Sequence, residues 1–122
     1  MSKRNVLAAI ALGLVILLAV GCGQQASGPT AATTAAPAEV SLKSFAFAPK
    51  ELTVTVGTTV TWKNEDSVAH TVTAGQRGSP SGLFDSGELA PGETFSFTFS
   101  QAGTYPYFCA AHANMDGTVI AK

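Results

Sequence analysis

Residues 109 to 115 read Cys-Ala-Ala-His-Ala-Asn-Met, which sets a thiol, an imidazole and a thioether three residues apart. The chain holds one other histidine, His70, and one other cysteine, Cys22. His70, Cys109, His112 and Met115 together offer two nitrogen and two sulfur donors. Soft sulfur favours copper(I), and imidazole accepts either oxidation state of copper. A trigonal pair of histidines and a cysteine with a weak axial methionine is the blue-copper electron-transfer arrangement. Taken singly, each residue has an ordinary explanation. A lone cysteine among aromatics is usually a small buried hydrophobe, and a lone methionine usually fills a core. Three donor types within seven residues set this segment apart. Other metal chemistry fits poorly: two histidines cannot build a trinuclear copper centre. A hydrolytic zinc site wants His and carboxylate ligands with an open water position, which Met115 would close.

These side chains need elements that bring them to one point. From Glu39 onward the pattern is one of short strands. Leu52, Val54 and Val56 alternate with Glu51, Thr53 and Thr55, and Phe95, Phe97 and Phe99 alternate with Thr94, Ser96 and Thr98. Such a period of two buries one face of a strand. Val40 to Phe47 reads as a first strand with imperfect alternation, broken by Pro49. Gly57 turns into Thr58 to Lys63, and Val68 to Ala74 is another β-rich stretch. Gly75 to Gly82, rich in Gly, Ser and Pro, reads as an exposed loop, and Pro91-Gly92 as a tight turn. Gly103 opens a strand through Tyr105 and Tyr107 into Cys109, and Gly117 opens the last. No stretch has a helical period. Seven or eight short strands over residues 39–122 predict an all-β, antiparallel Greek-key sandwich. Cys109 then ends a strand, and a loop after it can curl three side chains toward His70.

The first 38 residues are of another kind. Lys3 and Arg4 precede an apolar run from Val6 to Val20, of a length that suits a secretory signal and is short for a membrane span. Leu18-Ala19-Val20-Gly21-Cys22 resembles a bacterial lipobox, with residues 1–21 as signal peptide and Cys22 as the lipidated first residue. An uncleaved anchor and ordinary signal cleavage are the alternatives, and all three place the domain outside the cytoplasm. Residues 22–38 carry no charge, no aromatic residue and no large aliphatic one, so they are expected to form a tether. As a random coil, Gly23 to Ala38 spans about 20–24 Å. From Cys22 on, five basic against eight acidic side chains give −3. These charges are dispersed, and no clustered basic face points to nucleic acid.

Residues 45–122 resemble the cupredoxins, the blue-copper proteins of plastocyanin, amicyanin and pseudoazurin type. The resemblance rests on Phe47-Ala48-Pro49, Val56 to Trp62, His70-Thr71-Val72, Pro91-Gly92-Glu93 and Gly103 to Cys109. It implies one copper ion, with His70, Cys109 and His112 as equatorial ligands and Met115 as the axial one. The ligand loop is most similar to that of amicyanin in length. Thr71 stands where many members have Asn; its N–H is expected to reach the Cys109 sulfur, and its hydroxyl the ligand loop. His112 is expected at the surface among Ala110, Ala111 and Ala113, with Phe108 behind the thiolate. Pro80 and Leu83 are candidates to extend that patch. The implied function is electron carriage between a redox protein donor and an acceptor, by a monomer that is not an enzyme and is held at a membrane by lipid. Copper binding and delivery in the cell envelope is the rival reading, and it predicts labile metal.

Overall fold

A computed structural model describes residues 38–122; the expected signal, Cys22 and the tether up to residue 37 lie outside the described residues. Alternation builds the strands. β1 (Ala38–Lys43) buries Val40 and Leu42 between exposed Glu39 and Lys43, and β2 (Ala46–Ala48) buries Phe47. After β3 (Glu51–Val54), β4 (Thr59–Asn64) buries Val60, Trp62 and Asn64 on one face. β5 (Thr73–Gln76), β6 (Ser79–Asp85), β7 (Thr94–Thr98), β8 (Gly103–Phe108) and β9 (Asp116–Ala121) complete the set. They form two sheets, β2-β1-β4-β7 and β3-β9-β8-β5-β6, and no helix is present among the described residues. Trp62 joins the layers: its ring lies 5.4 Å from Tyr107 and 5.7 Å from Phe84 in the other sheet.

The expected sandwich is present, with three differences. There are nine strands among the described residues, and the sheets are mixed: β1 runs parallel to β4 and β3 parallel to β9. Alternation tells which face of a strand is buried and says nothing of its partner. Second, the first strand is a hairpin. Ser44 and Phe45 have φ of 54° and 58°, so the chain reverses and Leu42 pairs with Phe47. This two-residue turn, with both φ positive, is the source of the broken alternation, and it leaves Phe45 54% exposed. Third, Gly75 to Gly82 is strand except for the turn at Arg77-Gly78. β6 is an edge strand with a mostly exposed face, where Pro80 and polar residues are tolerated because one side needs no pairing. Pro80 and Leu83 therefore sit on an exposed strand rather than in a loop.

Tyr107 ends its ring in the core with its hydroxyl unpartnered, and burial pushes that hydroxyl up to about 12. The unfolded chain ionises near pH 10. Folding stability from this group is thus intact below pH 10 and is lost as pH rises from 10 to 12. The expected loss is on the order of 2–3 kcal/mol. Urea unfolding at successive pH values checks this: Tyr107→Phe should gain on the parent steadily between pH 10 and 12. Parallel curves for the two proteins would contradict it.

Candidate metal centre

Backbone pairing places His70, Cys109 and Met115, and His112 rides on the loop that the last two close. His70 lies between β4 and β5, where its N–H donates to Leu89 O at 3.1 Å and its carbonyl accepts from Leu89 N–H at 2.8 Å. Cys109 follows the last residue of β8, and its N–H donates to Met115 O at 2.9 Å, closing the ligand loop. Asn114 takes φ of 60° at the loop's reversal, a conformation Asn tolerates better than most residues. Met115 is brought inside and is wholly buried, as are His70 and Cys109; His112 is half-buried.

The three donor atoms form a small triangle. His70 Nδ1 lies 3.1 Å from His112 Nδ1, and Cys109 Sγ lies 3.7 Å and 3.6 Å from the two nitrogens. Bonds from one metal ion run about 2.0–2.1 Å to nitrogen and about 2.3 Å to sulfur, so an ion at trigonal angles sets sulfur and nitrogen about 3.7 Å apart. The nitrogens, at 3.1 Å, lie nearer than the roughly 3.5 Å of trigonal angles but within reach of two such bonds, so the triangle fits a single ion with a narrowed nitrogen–ion–nitrogen angle. Hydrogen bonding alone explains it poorly, because three lone-pair donors converge on one point.

The surroundings fix that geometry. Thr71 N–H donates to Cys109 Sγ at 3.3 Å, and Ala110 N–H donates to Thr71 Oγ1 at 2.7 Å, so threonine makes both expected contacts. An N–H donated to a thiolate withdraws charge from the sulfur and so tunes a metal held there. Phe108 is buried and carries the Arg77 guanidinium 5.3 Å above its ring. Ala110, Ala111 and Ala113 are exposed around half-buried His112.

Three contributors were not singled out in the sequence. Arg77 reaches from the β5–β6 turn to donate to His112 O at 2.8 Å and Met115 O at 3.5 Å. Phe45 sets its ring edge-to-face on both imidazoles, at 5.7 Å from His70 and 5.0 Å from His112. Asp66 accepts from His70 Nε2–H at 2.7 Å, from Ser44 N–H at 2.7 Å and from Phe45 N–H at 3.0 Å. The Phe45 N–H, with His70 and Ser44, holds this carboxyl below the usual carboxylate range, against the opposing effect of burial. Asp66 lies four residues before His70, but in an irregular segment that spacing carries no signal.

A two-sheet sandwich with two imidazoles, a thiolate and a buried thioether after its penultimate strand defines a copper-binding domain of blue-copper type. Residues 34–122 match the family model of copper-binding proteins of the plastocyanin/azurin family, and the chain belongs to that family. Plastocyanin of Scenedesmus fuscus is 39% identical over 84 residues, covering 62% of this chain and 86% of its own. Among solved structures, a purple cupredoxin from Nitrosopumilus maritimus superposes with a TM-score of 0.66 at 32% identity, over 70% of this chain and 99% of its own. An oxidised amicyanin variant gives 0.63 at 31%, over 70% and 82%. A copper-containing nitrite reductase from Thermus scotoductus matches at 0.62 and 31%, but over 22% of its chain. Copper is the cofactor this family holds, and the donor triangle suits it.

Proposed function

We propose that this protein carries single electrons between redox proteins, through a copper ion held by His70, Cys109, His112 and Met115. The observation that carries the reading is the triangle of 3.1, 3.6 and 3.7 Å made by three donors, two of them on paired backbone and the third in the loop closed by the Cys109–Met115 hydrogen bond. A copper ion bound there supplies one-electron exchange between its two common oxidation states. The chain supplies the rest. The His70–Leu89 bridge and the Cys109–Met115 hydrogen bond hold the donors in place, so little has to move when charge changes. Buried Met115 would offer its thioether as a fourth donor, which would leave no open position for a substrate. Thr71 N–H draws charge from the thiolate. The ring of His112 is the exit for electrons, and exposed Ala110, Ala111 and Ala113 are a flat surface on which a partner docks.

Export and lipid attachment at Cys22, outside the described residues, belong to the same proposal. They would keep a monomeric carrier within the reach of its tether at the outer face of a membrane.

Copper(II) titration of the purified chain tests the core of this reading. An intense blue or violet band should saturate at one copper per chain, bleach with one electron and return on oxidation. A colourless product would remove it, and rapid loss of copper to a chelator would favour delivery. A related expectation concerns the surface. Ala111→Glu should leave the visible band intact and slow electron exchange with the native partner at least tenfold, since a buried charge in a docking face costs several kcal/mol unless paired. Unchanged stopped-flow rates would move the exit elsewhere.

A further inference from the structure

One carboxylate ties the buried copper ligand to the exposed turn beside it. Asp66 accepts three N–H groups: Oδ1 takes Ser44 N–H, and Oδ2 takes Phe45 N–H and His70 Nε2–H. Its own N–H donates to Asn64 Oδ1 at 3.0 Å, and buried Asn64 is anchored by donating to Val68 O and Leu89 O. A carboxylate can only accept, so the His70 proton must sit on Nε2 and the Nδ1 lone pair must face Cys109 and His112. On the other side, Ser44 and Phe45 both hold positive φ without being glycine. Such a conformation costs free energy and persists only where the surroundings hold it. The two N–H groups of that turn converge on the same carboxylate. The turn in turn carries Phe45, whose ring rests on both imidazoles.

We infer that Asp66 is the positioning residue of the copper site, fixing the His70 ring with Nδ1 inward and seating Phe45 as an aromatic cover over His70 and His112. The inference rests on the copper-carrier reading. It adds two consequences. A carboxylate hydrogen-bonded behind a ligand histidine makes that ligand more basic, which favours copper(II) and lowers the reduction potential. The Phe45 cover sheds water from the imidazole pair and restricts access to the ion.

The test uses the full chain loaded with copper, and the blue band of the parent establishes the site before any variant is compared. In the reduced, diamagnetic protein, nitrogen-15 spectra of the rings should show His70 protonated at Nε2 with slow exchange. A proton on His70 Nδ1, or fast exchange at Nε2, overturns the inference without any variant. Asp66→Asn should keep the blue band, raise the reduction potential and speed His70 Nε2–H exchange at least tenfold. It should also speed removal of copper(I) by a bidentate chelator. Phe45→Ala separates the two roles: chelator access should rise several-fold while the His70 Nε2–H signal stays. A potential and an exchange rate in Asp66→Asn equal to the parent's would leave Asp66 as a turn-holding residue only, and the inference would fail. Equal chelator rates in Phe45→Ala and parent would overturn the cover.

Discussion

Cys109→Ser should yield a folded protein that copper does not colour and barely stabilises. The substitution changes one buried atom. Thr71 N–H can donate to the serine oxygen as it does to sulfur at 3.3 Å, and the Cys109 backbone bond to Met115 O is untouched. The metal-free variant should therefore unfold within about 1.5 kcal/mol of the metal-free parent. Copper separates them. A ligand that binds only the folded state at 1,000 times its dissociation constant adds about 4.1 kcal/mol. For a domain of this size that is roughly 16–30 °C in Tm. The parent should gain on that scale with copper, and the variant only a few degrees, because serine offers no thiolate. Calorimetry with and without copper, beside the visible spectrum, measures both. A variant that keeps the band or the full copper-dependent shift would mean that Cys109 is core filler and the ligands lie elsewhere.

The part of the site visible in the sequence is the part that chemistry confines to a short segment. Cys109, His112 and Met115 stand out because three donor types recur at one spacing, and their loop needs only a strand before it and a strand after. His70 stands out only as the other histidine and through the His70-Thr71-Val72 resemblance, since no spacing ties it to the loop. Asp66, Phe45 and Arg77 stayed hidden for a common reason: each acts across a distance in the sequence that no local pattern encodes. Asp66 reaches back to Ser44 and Phe45, and Arg77 reaches forward to His112 and Met115. Phe45 also misled. Its apolar side chain suggests a core strand, whereas the Asp66 carboxylate holds it in a turn.

The same division runs through the fold. The alternation at Leu52 and Val54 and at Phe95, Phe97 and Phe99 gave the strands, because burial of one face is written into each strand. The parallel pairing of β1 with β4 and of β3 with β9 is not, since partner choice depends on where the chain crosses between sheets. Gly75 to Gly82 reads as a loop, although it holds the end of β5 and the start of β6, because edge pairing depends on backbone and leaves Gly, Ser and Pro free to occupy the outer side. That hairpin matters to function. It presents Arg77 to the carbonyls of His112 and Met115, so the least strand-like segment of the sequence braces the ligand loop.

Its most exacting position is Gly75. The residue takes φ of +109°, and a Cβ there would lie 2.4 Å from Ser81 N, 2.7 Å from Ser79 O and 2.8 Å from Pro80 Cα. All three neighbours are backbone of β6, which cannot yield without breaking the pairing of Gly75 with Pro80. The expected cost of Gly75→Ala is roughly 1–3 kcal/mol for the backbone conformation and about 1–3 kcal/mol for the overlap. A total of about 2–6 kcal/mol is a large share of the 5–15 kcal/mol typical of a whole domain. Gly78, two residues on from Gln76 in the turn, is the control. It has φ of +83° but nothing within 4 Å of a built Cβ, so Gly78→Ala should lose only the conformational part. Urea unfolding of the two metal-free variants measures the difference. If the chain relieves the clash by freeing the hairpin instead, Arg77 leaves the loop, and the His112 and Met115 amides should shift in Gly75→Ala alone. Equal stabilities with unmoved loop amides would show that the close approach of β5 and β6 is not what requires glycine at position 75.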